Sequence, residues 1–220
     1  MLPITVRSYH SRDERAVENI AYRTGFNGLD LTGRRFFEDR RLFFLIFTSY
    51  YVRYEPEHCF VAEDTSRQEV VGYIVGTTDT LSQENSFRKM ILHRIVPRVF
   101  PVTLFRYPRT VQTLIRLAKM EKEIERDGKP QWMSEYPAHL HINVLPEYHS
   151  LGIGSRLIRQ FEAHMVQQKV KGIHLQTSNH NRKAIPFYQK MGFSILQELR
   201  LSSHPVLPDY ALLTFAKKWA

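Results

Sequence analysis

The run His149-Ser150-Leu151-Gly152-Ile153-Gly154-Ser155 lies between two segments of different period. Before it, His139-Leu140-His141-Ile142-Asn143-Val144 alternates and predicts a strand. After it, Arg156 to Met165 repeats with helical spacing, with Leu157, Ile158, Phe161 and Met165 on one face. A strand, a glycine turn and a helix together make an anion cradle. Gly152 and Gly154 let successive N–H groups point into one concavity, and the helix start adds the positive end of its dipole. The expected guest carries phosphate. On the strand, His139, His141 and Asn143 share one face, and Leu140, Ile142 and Val144 the other. A histidine near pKa 6.5 accepts a proton at neutral pH, so His141 is the first candidate for a general base, with Glu135 and Tyr136 as alternatives. Residues i and i+2 can also reach one metal ion, but no third ligand is marked and no metal is expected.

Two phosphate sites are excluded by residue type. A Walker loop needs Lys-Ser/Thr after its last glycine, whereas Gly154 is followed by Ser155-Arg156. A dinucleotide fingerprint needs a third glycine, which is missing. The loop instead resembles the acyl-coenzyme A loop of the GCN5-related N-acetyltransferases (GNAT), whose pattern is Gln/Arg-x-x-Gly-x-Gly/Ala. Downstream, the strand-like Gly172–Ser178 and then Asn181-Arg182-Lys183-Ala184 lead to Phe187-Tyr188-Gln189-Lys190-Met191-Gly192-Phe193. This is similar to the family's N-x-x-A and F-Y-x-x-x-G-F segments in order. A narrower likeness covers Tyr136–Tyr148, Arg23-Thr24-Gly25, Tyr50–Glu57, Phe60–Asp64 and Val71–Gly76. These segments resemble the acetyltransferase-like domain fused to some protein O-GlcNAc hydrolases and its free-standing microbial relatives.

The resemblance implies an α/β (α+β) fold, a mixed and mostly antiparallel sheet of about seven strands flanked by helices. It implies acetyl-CoA as acyl donor and a primary amine, on a protein lysine or a small molecule, as acceptor. The pyrophosphate would sit on the N–H groups of Ser150, Leu151, Gly152, Ile153, Gly154 and Ser155. Asn143, Val144 and Leu145 would hold the pantetheine arm along a splayed strand edge. Asn181 matches the asparagine that assists coenzyme binding, and Tyr188 the tyrosine proposed to protonate the leaving thiolate. His149 and Leu151 depart from the loop pattern, which usually has Gln or Arg and a basic residue there, although His149 can still donate a hydrogen bond. The alternative is a catalytically inactive domain that serves interaction or acetyl-CoA sensing.

The elements that position these residues can be read along the chain. Ile4–Arg7 reads as an edge strand, and Ser11 with Glu14 as a capping box for a helix bearing Val17, Ile20, Ala21 and Thr24 inward. Gly25 and Gly28 end it, and a second helix falls within Arg34–Thr48. Strands at His58–Glu63 and Val70–Thr77 flank a solvent-facing turn at Asp64–Glu69. Closing strands are expected at Phe193–Leu199 and Tyr210–Ala216. Between the third and fourth strands, residues 79–135 form a helical insertion. Pro97, Pro101 and Pro108 should break it early, and Thr110–Asp127 should be helical with Val111, Leu114, Ile115, Ala118 and Lys122 near one face.

At 220 residues and 43% hydrophobic, the chain reads as one domain, 1–220. The net charge of +9 is concentrated: residues 88–129 hold eleven Lys/Arg against four Asp/Glu. That surplus points to acidic company, such as an acidic protein partner. No zinc-knuckle spacing, RNP-like aromatic pair or heptad-led basic region marks a dedicated nucleic-acid site. No local acidic cluster marks a polyamine acceptor. The single cysteine, Cys59, reads as core packing. No signal-like leader or eighteen-residue apolar run is present, so a cytoplasmic protein is expected, with the nucleus open and no membrane.

Overall fold

The computed structural model describes residues 3–34, 36–126, 128, 130–204 and 206–219. Seven strands form one sheet: β1 (Ile4–Ser8), β2 (Phe60–Asp64), β3 (Glu69–Thr77), β4 (Ala138–Val144), β5 (Gly172–Ser178), β6 (Ser194–Arg200) and β7 (Ala211–Lys218). Their spatial order is β1-β2-β3-β4-β5-β7-β6. Every neighbouring pair is antiparallel except β4 and β5, which are parallel. The expected mixed, mostly antiparallel sheet with a helical insertion between its third and fourth strands is therefore present.

Helices α1 (Glu14–Arg23), α2 (Arg40–Phe47) and α3 (Ser49–Tyr54) precede β2. Glu14 joins all three, pairing with Arg41 of α2 and Arg53 of α3. That role corrects the expected capping box. The carboxylate of Asp13, held by Arg7, accepts the His10 N–H (2.9 Å) and closes the turn before α1 in place of Ser11 and Glu14. Val17, Ile20 and Ala21 are buried as expected. The turn after β2 is not wholly solvent-facing either. Asp64 is buried and accepts from the Ser66 N–H (3.0 Å) and the Tyr148 hydroxyl (3.3 Å).

The insertion begins with a helix that its sequence does not announce, α4 (Thr80–Met90). Asp79 caps it by accepting from the N–H groups of Leu81 and Ser82. Short helical turns continue through Pro97 and Pro101 to Arg106, so these two prolines do not end the helical structure. The chain bends between them at Phe100, whose backbone is extended (φ −117°, ψ 123°). Pro108 opens α5 (Pro108–Glu125), where its missing N–H costs nothing. Asp127, the expected end, lies outside the described residues. The inward face of α5 is rotated from expectation. Ile115 is exposed, whereas Thr110 and Thr113 are buried because their hydroxyls serve the loop before α2. Thr110 Oγ1 accepts from Glu38 N (2.8 Å), and Thr113 Oγ1 donates to the Phe36 carbonyl.

Helix α6 (Ile153–Gln167) covers one face of the sheet, and α7 (Ala184–Lys190) follows β5. Leu157, Ile158, Phe161 and Met165 are fully buried, the stripe read from the sequence. Gly76 of β3 makes this approach possible: a Cβ there would lie 2.5 Å from Phe161 Cζ. On the opposite face, Asn143 lies in register with Tyr73, and its Nδ2 donates to the Tyr73 hydroxyl (2.7 Å).

Candidate functional site

The glycine turn is built at the exit of β4. Gly152, with φ +74°, caps α6 in a left-handed conformation that a Cβ would strain, although the space beside it is open. Gly154 has a different reason to be small, since a Cβ would lie 3.1 Å from Phe187 Cζ. Helix geometry leaves the N–H groups of Ile153, Gly154 and Ser155 without partners inside α6, and the preceding residues, His149 to Gly152, are exposed. These are the N–H groups that the sequence pattern assigns to an anion.

Two expected donor contacts are already engaged within the fold. His149 Nε2 lies 2.9 Å from the Val144 carbonyl, so the ring donates to the end of β4 rather than into the cradle. The Leu145 N–H donates to Val71 (2.9 Å), and its carbonyl accepts from Tyr148 (2.9 Å).

β4 is paired with β3 from His139 to Val144 but with β5 only at Ala138↔Ile173 and His139↔His174. Beyond those two pairs the parallel strands part, leaving the β5-facing edge of residues 140–144 outside the ladder. The cradle stands at the open end of this wedge, where β4 leads into the turn before α6.

A cleft of about 410 Å³ lies on the insertion side, lined among others by Thr80, Trp132, His139, His141, His174 and Gln197. His139 and His141 both reach the Tyr51 hydroxyl, at 2.6 and 3.1 Å from their Nε2 atoms. His139 Nδ1 lies 2.8 Å from Thr80 Oγ1, and His174 Nδ1 donates to the Tyr136 carbonyl (2.8 Å). Burial pushes His139 well below its ordinary pKa, helped by the neighbouring histidines. Enclosure by protein, with His174 adding to it, lowers His141 to about 4, although its ring opens onto the cleft. His174 falls to about 4 through burial, which the carbonyls of Tyr136 and Ala138 oppose. All three are neutral at pH 7. Among the described residues, no group of three or more His, Cys, Asp or Glu side chains is placed to hold a metal ion.

Tyr188 is buried on α7 among Phe187, Phe193 and Phe215, with ring centroids 5.4–6.1 Å away. Burial raises its phenol pKa, which keeps the proton on the oxygen. It does not line the histidine cleft. Asn181 lies just before α7, with Nδ2 donating to Thr177 (3.2 Å) and its carbonyl accepting from Ala184 N–H (3.0 Å). Glu135 pairs with Lys218, and the backbone carbonyl of Tyr136 accepts from His174. Cys59 is buried, its thiol donating to the Glu55 carbonyl (3.4 Å), and burial raises its pKa.

Sequence reading missed Tyr51, Thr80 and Trp132, which belong to this cleft or its wall. Tyr51 sits in Ser49-Tyr50-Tyr51-Val52, where nothing separates it from ordinary core. It also missed the carboxylates: Glu84, Glu121 and Glu125 meet along the cleft with Arg88, which pairs with Glu125 (3.1 Å). They come from two helices and form no cluster in sequence.

Comparison with known proteins agrees with this architecture. Residues 118–193 match the profile of the Acetyltransferase (GNAT) family. The crystal structure of SsHAT superposes with a TM-score of 0.74 at 29% identity, covering 99% of this chain and 98% of that one. Ard1 from Thermoplasma volcanium gives a TM-score of 0.57 at 18% identity, over 99% and 98% of the two chains. A GCN5-related N-acetyltransferase from Kribbella flavida gives 0.57 at 12%, over 98% of each. With the parted β4 and β5, the glycine-capped α6 and these likenesses together, the chain is built on the GNAT acetyltransferase fold.

Proposed function

We propose that the protein is an N-acetyltransferase that moves an acetyl group from acetyl-CoA to a primary amine. The observation that carries this reading is the wedge between β4 and β5, with the anion cradle at its open end and the histidine-lined cleft beside its strands. The pyrophosphate would rest on the N–H groups of Ser150 to Ser155 and the pantetheine along Asn143 and Val144, with Asn181 assisting. The amine nitrogen attacks the thioester carbonyl, His141 takes the amine proton, and the C–S bond breaks as Tyr188 protonates the thiolate. The raised phenol pKa keeps Tyr188 in its protonated form at neutral pH, so the proton is present when the C–S bond breaks.

The acceptor, a protein lysine or a small amine, belongs to this proposal, as do kinship with the domain fused to protein O-GlcNAc hydrolases and a cytoplasmic or nuclear place. The exposed basic surface of the insertion supports an acidic protein partner. Among the described residues no helix is long and apolar enough to cross a membrane.

A second reading has its own support. His149 on the Val144 carbonyl occupies part of the pantetheine edge, as in a domain that has lost the donor. Calorimetric titration with acetyl-CoA, beside a Gly154→Glu control that adds negative charge at the cradle and whose fold is checked by circular dichroism because its Cβ meets Phe187, separates the cases. Saturable binding lost in the control supports the donor site, and turnover of an amine then decides for the enzyme. Absence of binding by the folded parent overturns both the enzyme and the donor-sensing readings.

A further inference from the structure

Four groups around the cleft form a chain whose protons can be placed one by one. Thr80, Tyr51 and His139 are buried, so water does not supply alternative partners. The chain starts at the Pro137 carbonyl, an obligate acceptor, 2.7 Å from Thr80 Oγ1. Two oxygens at that distance need a proton between them, and only the threonine has one. Thr80 Oγ1 must therefore accept at its other contact, and His139 Nδ1, 2.8 Å away, carries a hydrogen. A neutral His139 then has a bare Nε2, and the Tyr51 hydroxyl at 2.6 Å donates to it. With its single proton committed, the Tyr51 oxygen accepts from His141 Nε2, 3.1 Å away. The reverse assignment would leave Thr80 Oγ1 and the Pro137 carbonyl facing each other without a hydrogen.

We propose that Tyr51 is a positioning residue that fixes the tautomer of His141, holding its proton on Nε2 so that Nδ1 presents the lone pair that receives the amine proton. The inference rests on the reading of His141 as the base. In the reaction, the C–N bond forms as the amine proton passes to Nδ1. The imidazolium keeps its Nε2–H on the Tyr51 oxygen, and Tyr51 keeps its own proton on His139. The C–S bond breaks, the thiolate takes the Tyr188 proton, and the proton held by His141 is released to solvent as Tyr188 is reprotonated. Thr80 anchors the chain from the first residue of α4, so the basic insertion reaches the chemistry through one hydroxyl.

The test is imidazole 15N NMR on the full chain without donor, with a Tyr51→Phe variant and a Thr80→Val variant as a second route. The parent is expected to show a pyridine-type Nδ1 and a pyrrole-type Nε2 at His141. Both variants should give a tautomer mixture there. In Tyr51→Phe, kcat should fall about ten- to a hundredfold with the acetyl-CoA affinity unchanged. A protonated Nδ1 in the neutral parent, or His141 signals unmoved in both variants, overturns the proposal. Nitrogen signals as expected in a parent that acetylates no amine would instead overturn the base reading and leave the tautomer assignment standing.

Discussion

The Arg98 guanidinium grips the buried carboxylate of Asp39 with two hydrogen bonds, Nη2 to Oδ1 at 2.9 Å and Nε to Oδ2 at 3.1 Å. The same carboxylate accepts from the Thr103 hydroxyl (2.7 Å) and caps α2 at the Leu42 N–H (3.0 Å). One side chain thus fastens the insertion to the helices beside the sheet.

Asp39→Ala should therefore cost about 3 kcal/mol, because it strands a guanidinium, a hydroxyl and a helix N–H together. Urea denaturation of parent and variant checks this. Burial pushes the Asp39 carboxyl up, but Arg98, Thr103 and Leu42 outweigh it and hold its pKa below the ordinary value. The stabilisation is complete above the unfolded carboxyl pKa, about 4, and is lost as pH falls through the lower folded value. Asp39→Ala should remove that part of the acid dependence.

His141→Gln should lower kcat/KM about 10²- to 10⁴-fold, the range for a general base, while leaving acetyl-CoA affinity within about twofold. With His141 depressed to about 4, the parent's base is ready throughout the neutral range. Its acid limb in kcat/KM should fall near pH 4 rather than 6.5 and vanish in the variant. Rate profiles under saturating donor measure both.

The depressed histidines of the cleft, joined by His164 and His204 elsewhere, also make a stability prediction. Their unfolded forms take up protons near pH 6.5, but folded His141 and His174 do so only near 4. Between those values the unfolded chain binds more protons, so stability falls as pH drops from about 6.5 to 4. Denaturation midpoints at pH 7, 6 and 5 should decline, and His174→Asn should flatten the slope. An equal slope in the variant would remove His174 from the account.

His149→Ala decides what the unusual loop histidine does. If the ring competes with pantetheine for the Val144 carbonyl, its loss should tighten acetyl-CoA binding about three- to tenfold, the worth of one hydrogen bond. Weaker binding would mean that His149 turns to the donor instead.

The site was legible where local pattern and local structure coincide. Leu157, Ile158, Phe161 and Met165 gave α6, and the alternation from His139 gave both the strand and the shared face of His139 and His141. Legibility failed where polar groups do the packing. Thr80, Gln83 and Met90 are the buried residues of α4, a set with little apolar period to read. Thr110 and Thr113 turned the inner face of α5 for the sake of two hydrogen bonds. The capping box was misread because Asp13, gripped by Arg7 from β1, outcompetes a local Ser-Glu pattern. Tyr51 acquires meaning only when α3 brings it to β4, 88 positions away from His139 in the chain.

The parted strands have a mechanical consequence. Two residue pairs stitch the half-sheet β1–β4 to the half-sheet β5, β7 and β6, and one of them sets His139 opposite His174. The ladder therefore transmits little cooperativity across the middle of the molecule, and covering helices and side chains must carry the rest. Amide hydrogen exchange should divide the protein along that line into two opening units, with slow exchange inside each and the earliest separation at the seam.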